Sequence, residues 1–110
     1  MTESEFIEQA EATLRALESA VDAADAGIDC TRAGGVLTLE LDNDTKIVVN
    51  TQLPTRQIWV AARSGGFHFS YDGHRWRDTR GGGELFATLS ELISGQAGRA
   101  VVLPAPSSSS

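Results

Sequence analysis

Val36-Leu37-Thr38-Leu39-Glu40-Leu41-Asp42-Asn43-Asp44-Thr45-Lys46-Ile47-Val48-Val49-Asn50 decides the fold. Its first six residues alternate, with Leu37, Leu39 and Leu41 on one side, which is the period of a half-buried strand. Asp42-Asn43-Asp44 is turn chemistry, and Lys46 to Asn50 returns as a second strand rich in β-branched residues. Upstream, the same period reaches back to Ile28. Downstream come Gln57-Ile58-Trp59-Val60-Ala61-Ala62, a turn expected at Gly65-Gly66, and Phe67-His68-Phe69-Ser70-Tyr71. Asp72-Gly73 signals another hairpin, leading to a short strand around Trp76. Tight turns between consecutive strands predict an antiparallel meander of about six strands.

The flanks change period. Over residues 4–25, taking about 100° per residue, Phe6, Ala10, Leu14, Leu17, Val21 and Ala24 share one narrow face of a helix. Thr2 with Glu5 three positions on has the form of a capping box, and Gly27 is expected to end the helix. After Gly81-Gly82-Gly83, residues 84–93 regain helical spacing, with Leu85, Leu89, Leu92 and Ile93 together. The expected class is α+β, a two-layer α-β sandwich with both terminal helices on one sheet face. One domain is expected over 1–103. The apolar Ala100-Val101-Val102-Leu103 is expected to pack back on the helices, and a disordered Pro/Ser tail is expected over 104–110.

Charge is distributed unevenly. Residues 1–29 hold eight carboxylates against Arg15, a balance of −7, whereas residues 30–110 balance at +1. On the first helix Glu8, Glu11, Glu18, Asp22 and Asp25 form a stripe beside the core face. Like charges one turn apart disfavour a helix, and acids at its C-terminal end oppose the macrodipole. Local stability does not explain them, so a cation or a basic partner is the expected reason. A pI near 4.7 argues against nucleic acid. The acidic N-terminus has neither signal nor transit character, and no apolar run is long enough to span a membrane, so a cytoplasmic domain is expected.

Alternation also sorts the sheet. With Ile58, Val60, Phe67 and Phe69 inward, the outer face receives Gln57, Trp59, Ala61, His68 and Ser70, with Thr38, Glu40 and Asn50. A tryptophan among amides and histidine has the composition of an interface hot spot; equally, a loop half-covering it would leave Trp59 a structural residue. The glycine run lacks the Lys-Ser/Thr of a phosphate loop. His68 and His74 have no partner at metal spacing, and lone Cys30 permits no internal disulfide. No catalytic centre is expected.

The acidic first helix, Ile28-Asp29-Cys30, Gly34-Gly35-Val36-Leu37-Thr38-Leu39, Lys46 to Asn50, Gln57 to Ala61 and Gly65 to Phe69 together resemble the frataxin family in its bacterial form, from Ser4 to about Gly98. The order and spacing of these pieces carry the resemblance. It implies the same sandwich and a non-enzymatic role in iron–sulfur cluster assembly. It further implies weak iron binding, as Fe²⁺ or Fe³⁺, on an acidic ridge of Glu11, Glu18, Asp22, Asp25 and Asp29. The implied partners are a cysteine desulfurase and its scaffold protein, met by a sheet surface of Asn50, Gln57, Trp59 and His68. Ser19 and Ala23 interrupt the ridge, and the tail beyond Gly98 falls outside the resemblance.

Carboxylate oxygens are hard ligands that do not select among Fe²⁺, Fe³⁺, Mn²⁺, Mg²⁺ and Ca²⁺. Spread along one helix face they diverge, so binding is expected to be weak and salt-sensitive. A monomeric adaptor is the leading expectation. An iron-storing or iron-oxidising protein, and an interaction module that never holds metal, stand as alternatives.

Overall fold

The computed structural model describes residues 1–105. Its elements run α1 (Glu3–Ala24), β1 (Asp29–Ala33), β2 (Val36–Glu40), β3 (Lys46–Gln52), β4 (Gln57–Ala62), β5 (Gly65–Tyr71), β6 (Trp76–Asp78) and α2 (Leu85–Ala97). Each strand pairs antiparallel with its neighbour in sequence, giving one six-stranded sheet in the order β1-β2-β3-β4-β5-β6. The meander and the two-helix sandwich are therefore as expected.

Burial follows the alternation. Leu37, Leu39, Ile47, Val49, Ile58, Val60 and Phe69 point from the sheet into one core with Phe6, Leu14, Leu17 and Val21 of α1 and Leu85, Leu89 and Ile93 of α2. Trp76 is buried with them. Its ring meets Phe6 edge-on at 5.9 Å, and its indole N–H donates to Thr13 Oγ1 at 2.8 Å. Supplying that partner matters, because a buried indole N–H left unpaired is costly.

The ends of the helices show what local chemistry contributes. Thr2 caps α1 with the expected reciprocal pair: the Glu5 N–H donates to Thr2 Oγ1 and the Thr2 N–H to Glu5 Oε1. At the other end the helix stops at Asp25, not at Gly27. Asp25 adopts a left-handed conformation (φ 48°, ψ 47°) and its N–H donates to the Asp22 carbonyl. Aspartate tolerates that region better than most residues, so the glycine two positions on serves the turn into β1 instead. α2 runs to Ala97, a turn past the expected Ile93, because Gly98 (φ 74°) supplies the left-handed cap. Glu84 caps its start, accepting from the Phe86 and Ala87 N–H groups.

One hairpin turn is displaced from its expected place. Ala62 pairs with Gly65, which leaves Arg63-Ser64 as the connection and puts Gly65 and Gly66 inside β5. Gly65 has φ 145°, a conformation that other residues adopt at a cost, so glycine is required at the strand entry and not in the turn proper.

The segment after α2 folds back through Val101 and Leu103 only: Val102, expected to pack with them, points outward and is 71% exposed, because an extended chain alternates its side chains. Val101 and Leu103 are buried, and their N–H groups donate to Ser94 Oγ and Ser90 Oγ. Arg99 ties this end to the other elements, donating to the Ala26 carbonyl and, at 3.3 Å, to Asp42. Pro104 and Ala105 are exposed and have no regular structure; the rest of the expected Pro/Ser tail, 106–110, lies outside the described residues.

Candidate functional site

Three of the five ridge candidates, Glu11, Glu18 and Asp22, lie on α1 along one edge of the molecule, and a fourth, Asp25, is the left-handed residue that caps its C-terminal end. That edge faces β1, and the strand contributes a residue that the alternation alone does not single out. Arg32 pairs across the ladder with Leu37, a core-face residue, so it points to the helix side of an edge strand. There its guanidinium forks between two carboxylates, donating through Nη2 to Glu11 and through Nη1 to Glu18 at 3.3 Å. The Glu11 bond, ahead of the one to Glu18, holds the Arg32 pKa above its ordinary value. Arg15 approaches Glu11 at 4.0 Å from the helix itself.

The ridge is thus in two unequal halves. Glu11 and Glu18 carry an internal cation, whereas Asp22, Asp25 and Asp29 enter no ion pair among the described residues. Asp29 is also separated from the helix acids. It pairs with Glu40 in the ladder, so the pleat turns it to the open face of the sheet at the β1 edge. Glu40 itself is paired to Lys46 at 3.7 Å. Among the described residues no three His, Cys, Asp or Glu side chains gather as a cation cage. Cys30, also on the helix side of β1, lies near Glu18. Burial first, and then the Glu18 charge, raise its thiol pKa and keep it protonated.

The sheet candidates come together on the opposite face. Asn50, Trp59 and His68 are directly opposed in successive ladders and form one row across β3, β4 and β5. The Trp59 and His68 rings stack at 4.4 Å with planes 14° apart, and the Trp59 N–H donates to Gln57 Oε1 at 2.7 Å. A flat aromatic plate, oriented by an amide and half-exposed, is thereby held rigid. The polar row around it continues through Ser70 to Arg77, which pairs with Asp72 at 3.3 Å. A concavity between α1 and the β5–β6 hairpin, lined by Thr13, Tyr71, His74, Arg75, Trp76 and Glu84, includes none of the ridge or sheet candidates.

An acidic helix edge and an aromatic plate on the open face of a two-helix, six-strand sandwich define a class. Residues 1–99 match the model of the frataxin-like domain, and the chain belongs to that family. Among relatives, it is 55% identical to the iron-sulfur cluster assembly protein CyaY of Janthinobacterium sp. (strain Marseille), with 94% of this chain and 96% of the relative covered. Among solved structures, the frataxin of Psychromonas ingrahamii superposes with a TM-score of 0.88 at 34% identity, covering 96% of this chain and all of that one. A trimeric frataxin from the yeast Saccharomyces cerevisiae, complexed with ferrous iron, superposes with a TM-score of 0.65 at 30% identity over 86% and 87% of the two chains.

Proposed function

We propose that this chain is a non-enzymatic, iron-binding regulator of iron–sulfur cluster assembly in the cytoplasm. It acts as a monomer on a cysteine desulfurase and its scaffold protein. The observation that carries this reading is the pair of exposed acids, Asp22 and Asp25, at the negative end of α1 with no cation in the last turn of the helix. They sit where the macrodipole disfavours them, so a ligand that needs negative charge accounts for them better than folding does. Carboxylates suit ferrous and ferric iron as hard donors. Their exposure and divergence make the binding weak and reversible, which fits delivery or sensing better than storage.

The same edge suits electrostatic docking on a basic desulfurase surface, where charge governs association rate and orientation. The Trp59 plate, backed by His68, Gln57 and Asn50, offers the scaffold a preorganised aromatic contact of the kind that dominates interfaces. Names given to relatives of this chain, and the ferrous complex of a family member, support the reading. The test is binding of the cognate desulfurase to a protein with Glu18 and Asp22 both reversed to lysine. A loss of affinity that steepens as ionic strength falls supports ridge docking; unchanged affinity refutes it.

A further inference from the structure

We propose that the concavity between α1 and the β5–β6 hairpin binds a small carboxylate with a flat apolar body, an aryl carboxylate, and that Arg75 anchors its anionic end. The concavity is separate from the acidic ridge and from the sheet face, and the proposal depends on neither.

Size and lining point to the body of the ligand. The cavity measures about 320 Å³, at the lower end of the range that small-molecule sites occupy. That volume suits one or two fused rings. Trp76 and Phe86 line it and are both buried, so its floor is apolar and aromatic. The Trp76 N–H is already donated to Thr13 Oγ1, which leaves the floor with no polar demand on a ligand. Ala12 and Ala16 stand one helical turn apart on the α1 wall, and side chains this short leave room for a ring against the helix. An aromatic floor of this kind favours a flat partner, stacked or edge-on.

Charge points to the other end. His74 and Arg75 leave a turn that is pinned by their own N–H groups, which donate to Asp72 Oδ1 at 2.8 and 2.7 Å. Both side chains line the concavity, and the Arg75 guanidinium enters no ion pair among the described residues. The acids beside it are engaged elsewhere. Asp72 pairs with Arg77 at 3.3 Å, and Glu84 accepts from the Phe86 and Ala87 N–H groups at the start of α2. A neighbouring concavity shares Gln9, Tyr71 and Gly73 but is lined by Glu5 and Glu8, so an anion belongs on the Arg75 side. There the planar fork of a guanidinium meets a carboxylate with two parallel hydrogen bonds. Arg75 is exposed, so the binding is weak and salt-sensitive.

The probe is 2-naphthoate, with neutral 2-naphthalenemethanol as its uncharged counterpart, each titrated into the ¹⁵N-labelled protein. The two indole N–H signals report separately, because Trp76 lines the concavity and Trp59 lies on the open sheet face. In the wild type, naphthoate shifts the Trp76 signal saturably, leaves Trp59 in place, and binds about tenfold more tightly than the alcohol, as one charge-assisted bond provides. In Arg75→Gln the naphthoate affinity falls to that of the alcohol, whose own binding is unchanged. Ala12→Leu keeps a good helix former but fills the hollow, and it abolishes binding of both compounds while a thermal melt shows the protein folded.

No saturable shift at Trp76, or shifts confined to Trp59, overturns the proposal. Equal affinity of the wild type for naphthoate and the alcohol removes the anion anchor, as does undiminished naphthoate binding by Arg75→Gln. Binding that survives in Ala12→Leu places the ligand outside the concavity and refutes it.

Discussion

Trp59 and Asp72 are the single residues whose environments make the sharpest demands. The Trp59 ring has partners of its own in His68 and Gln57, but neither depends on the core. A stacked aromatic pair contributes about 0.5–1.5 kcal/mol. Trp59→Ala therefore lowers Tm by roughly 5 °C in calorimetry, where each kcal/mol moves a domain of this size by about 4–8 °C. Leu14→Ala, in the core, costs roughly 2–5 kcal/mol and serves as the contrast. Binding to the scaffold–desulfurase complex falls much further in Trp59→Ala, by roughly tenfold or more if it is an interface anchor. A melt as damaged as that of Leu14→Ala, with binding intact, makes Trp59 structural. Asp72 organises the β5–β6 turn by accepting from the His74 and Arg75 N–H groups. Those backbone bonds, Arg75 first, lower its pKa from 3.8 to about 2. A depressed carboxylate contributes stability above its unfolded value and loses it as pH falls through the folded one. The hairpin is thus expected to loosen between pH about 4 and about 2. Amide exchange at His74 and Arg75 reads this directly, and Asp72→Asn removes the pH dependence.

At the level of elements, the two ends of α1 differ in how far local chemistry supports the helix. Its N-terminal end is well capped, and Thr2→Ala costs about 1 kcal/mol. Its C-terminal end carries Asp22 and Asp25 against the dipole. Asp25→Asn keeps a residue that tolerates the left-handed cap but removes one charge, and it stabilises the protein by about 0.3–1 kcal/mol in denaturant unfolding. The same variant weakens Mn²⁺ or Fe²⁺ binding at that end. A variant that becomes less stable shows instead that the Asp25 carboxylate supports the fold. Much of this element architecture is legible in the sequence, because a period of 3.6 or 2 depends only on which side is buried. Leu37, Leu39, Ile58, Val60 and Phe69 all obey it. What escapes the sequence is set by contacts remote in the chain or by a shift of two residues in a turn. Arg63-Ser64 carries no turn signature, and the glycines that suggest one serve the first residues of β5. Arg32 is not singled out by the sequence; its place as an inward charge on an edge strand, a common way of blunting a sheet edge, comes from its pairing with Leu37. Its carboxylate partners, 14 and 21 residues away, depend on how α1 crosses that edge.

Taken whole, the molecule keeps its two candidate surfaces apart. The helix edge is acidic, with part of its charge held by Arg32, and the open sheet face is aromatic and polar around Trp59. Under the proposed function, such separation lets one small domain touch two partners, or two parts of one complex, at once. Asp29 of β1 and Glu40 of β2 are paired across the ladder and share the open face of the sheet. No helix among the described residues is long and apolar enough to cross a membrane. The central claim, regulation of cluster assembly through the ridge and the sheet face together, is tested most directly by one rate. It is the rate of cluster formation on the cognate scaffold by the cognate desulfurase, with Fe²⁺ and cysteine, alone and with wild type, the Glu18/Asp22 reversal or Trp59→Ala. The account predicts that the wild-type protein changes the rate and that each variant returns it towards the protein-free value. A rate that the wild-type protein leaves unchanged, or that both variants alter as the wild type does, contradicts it.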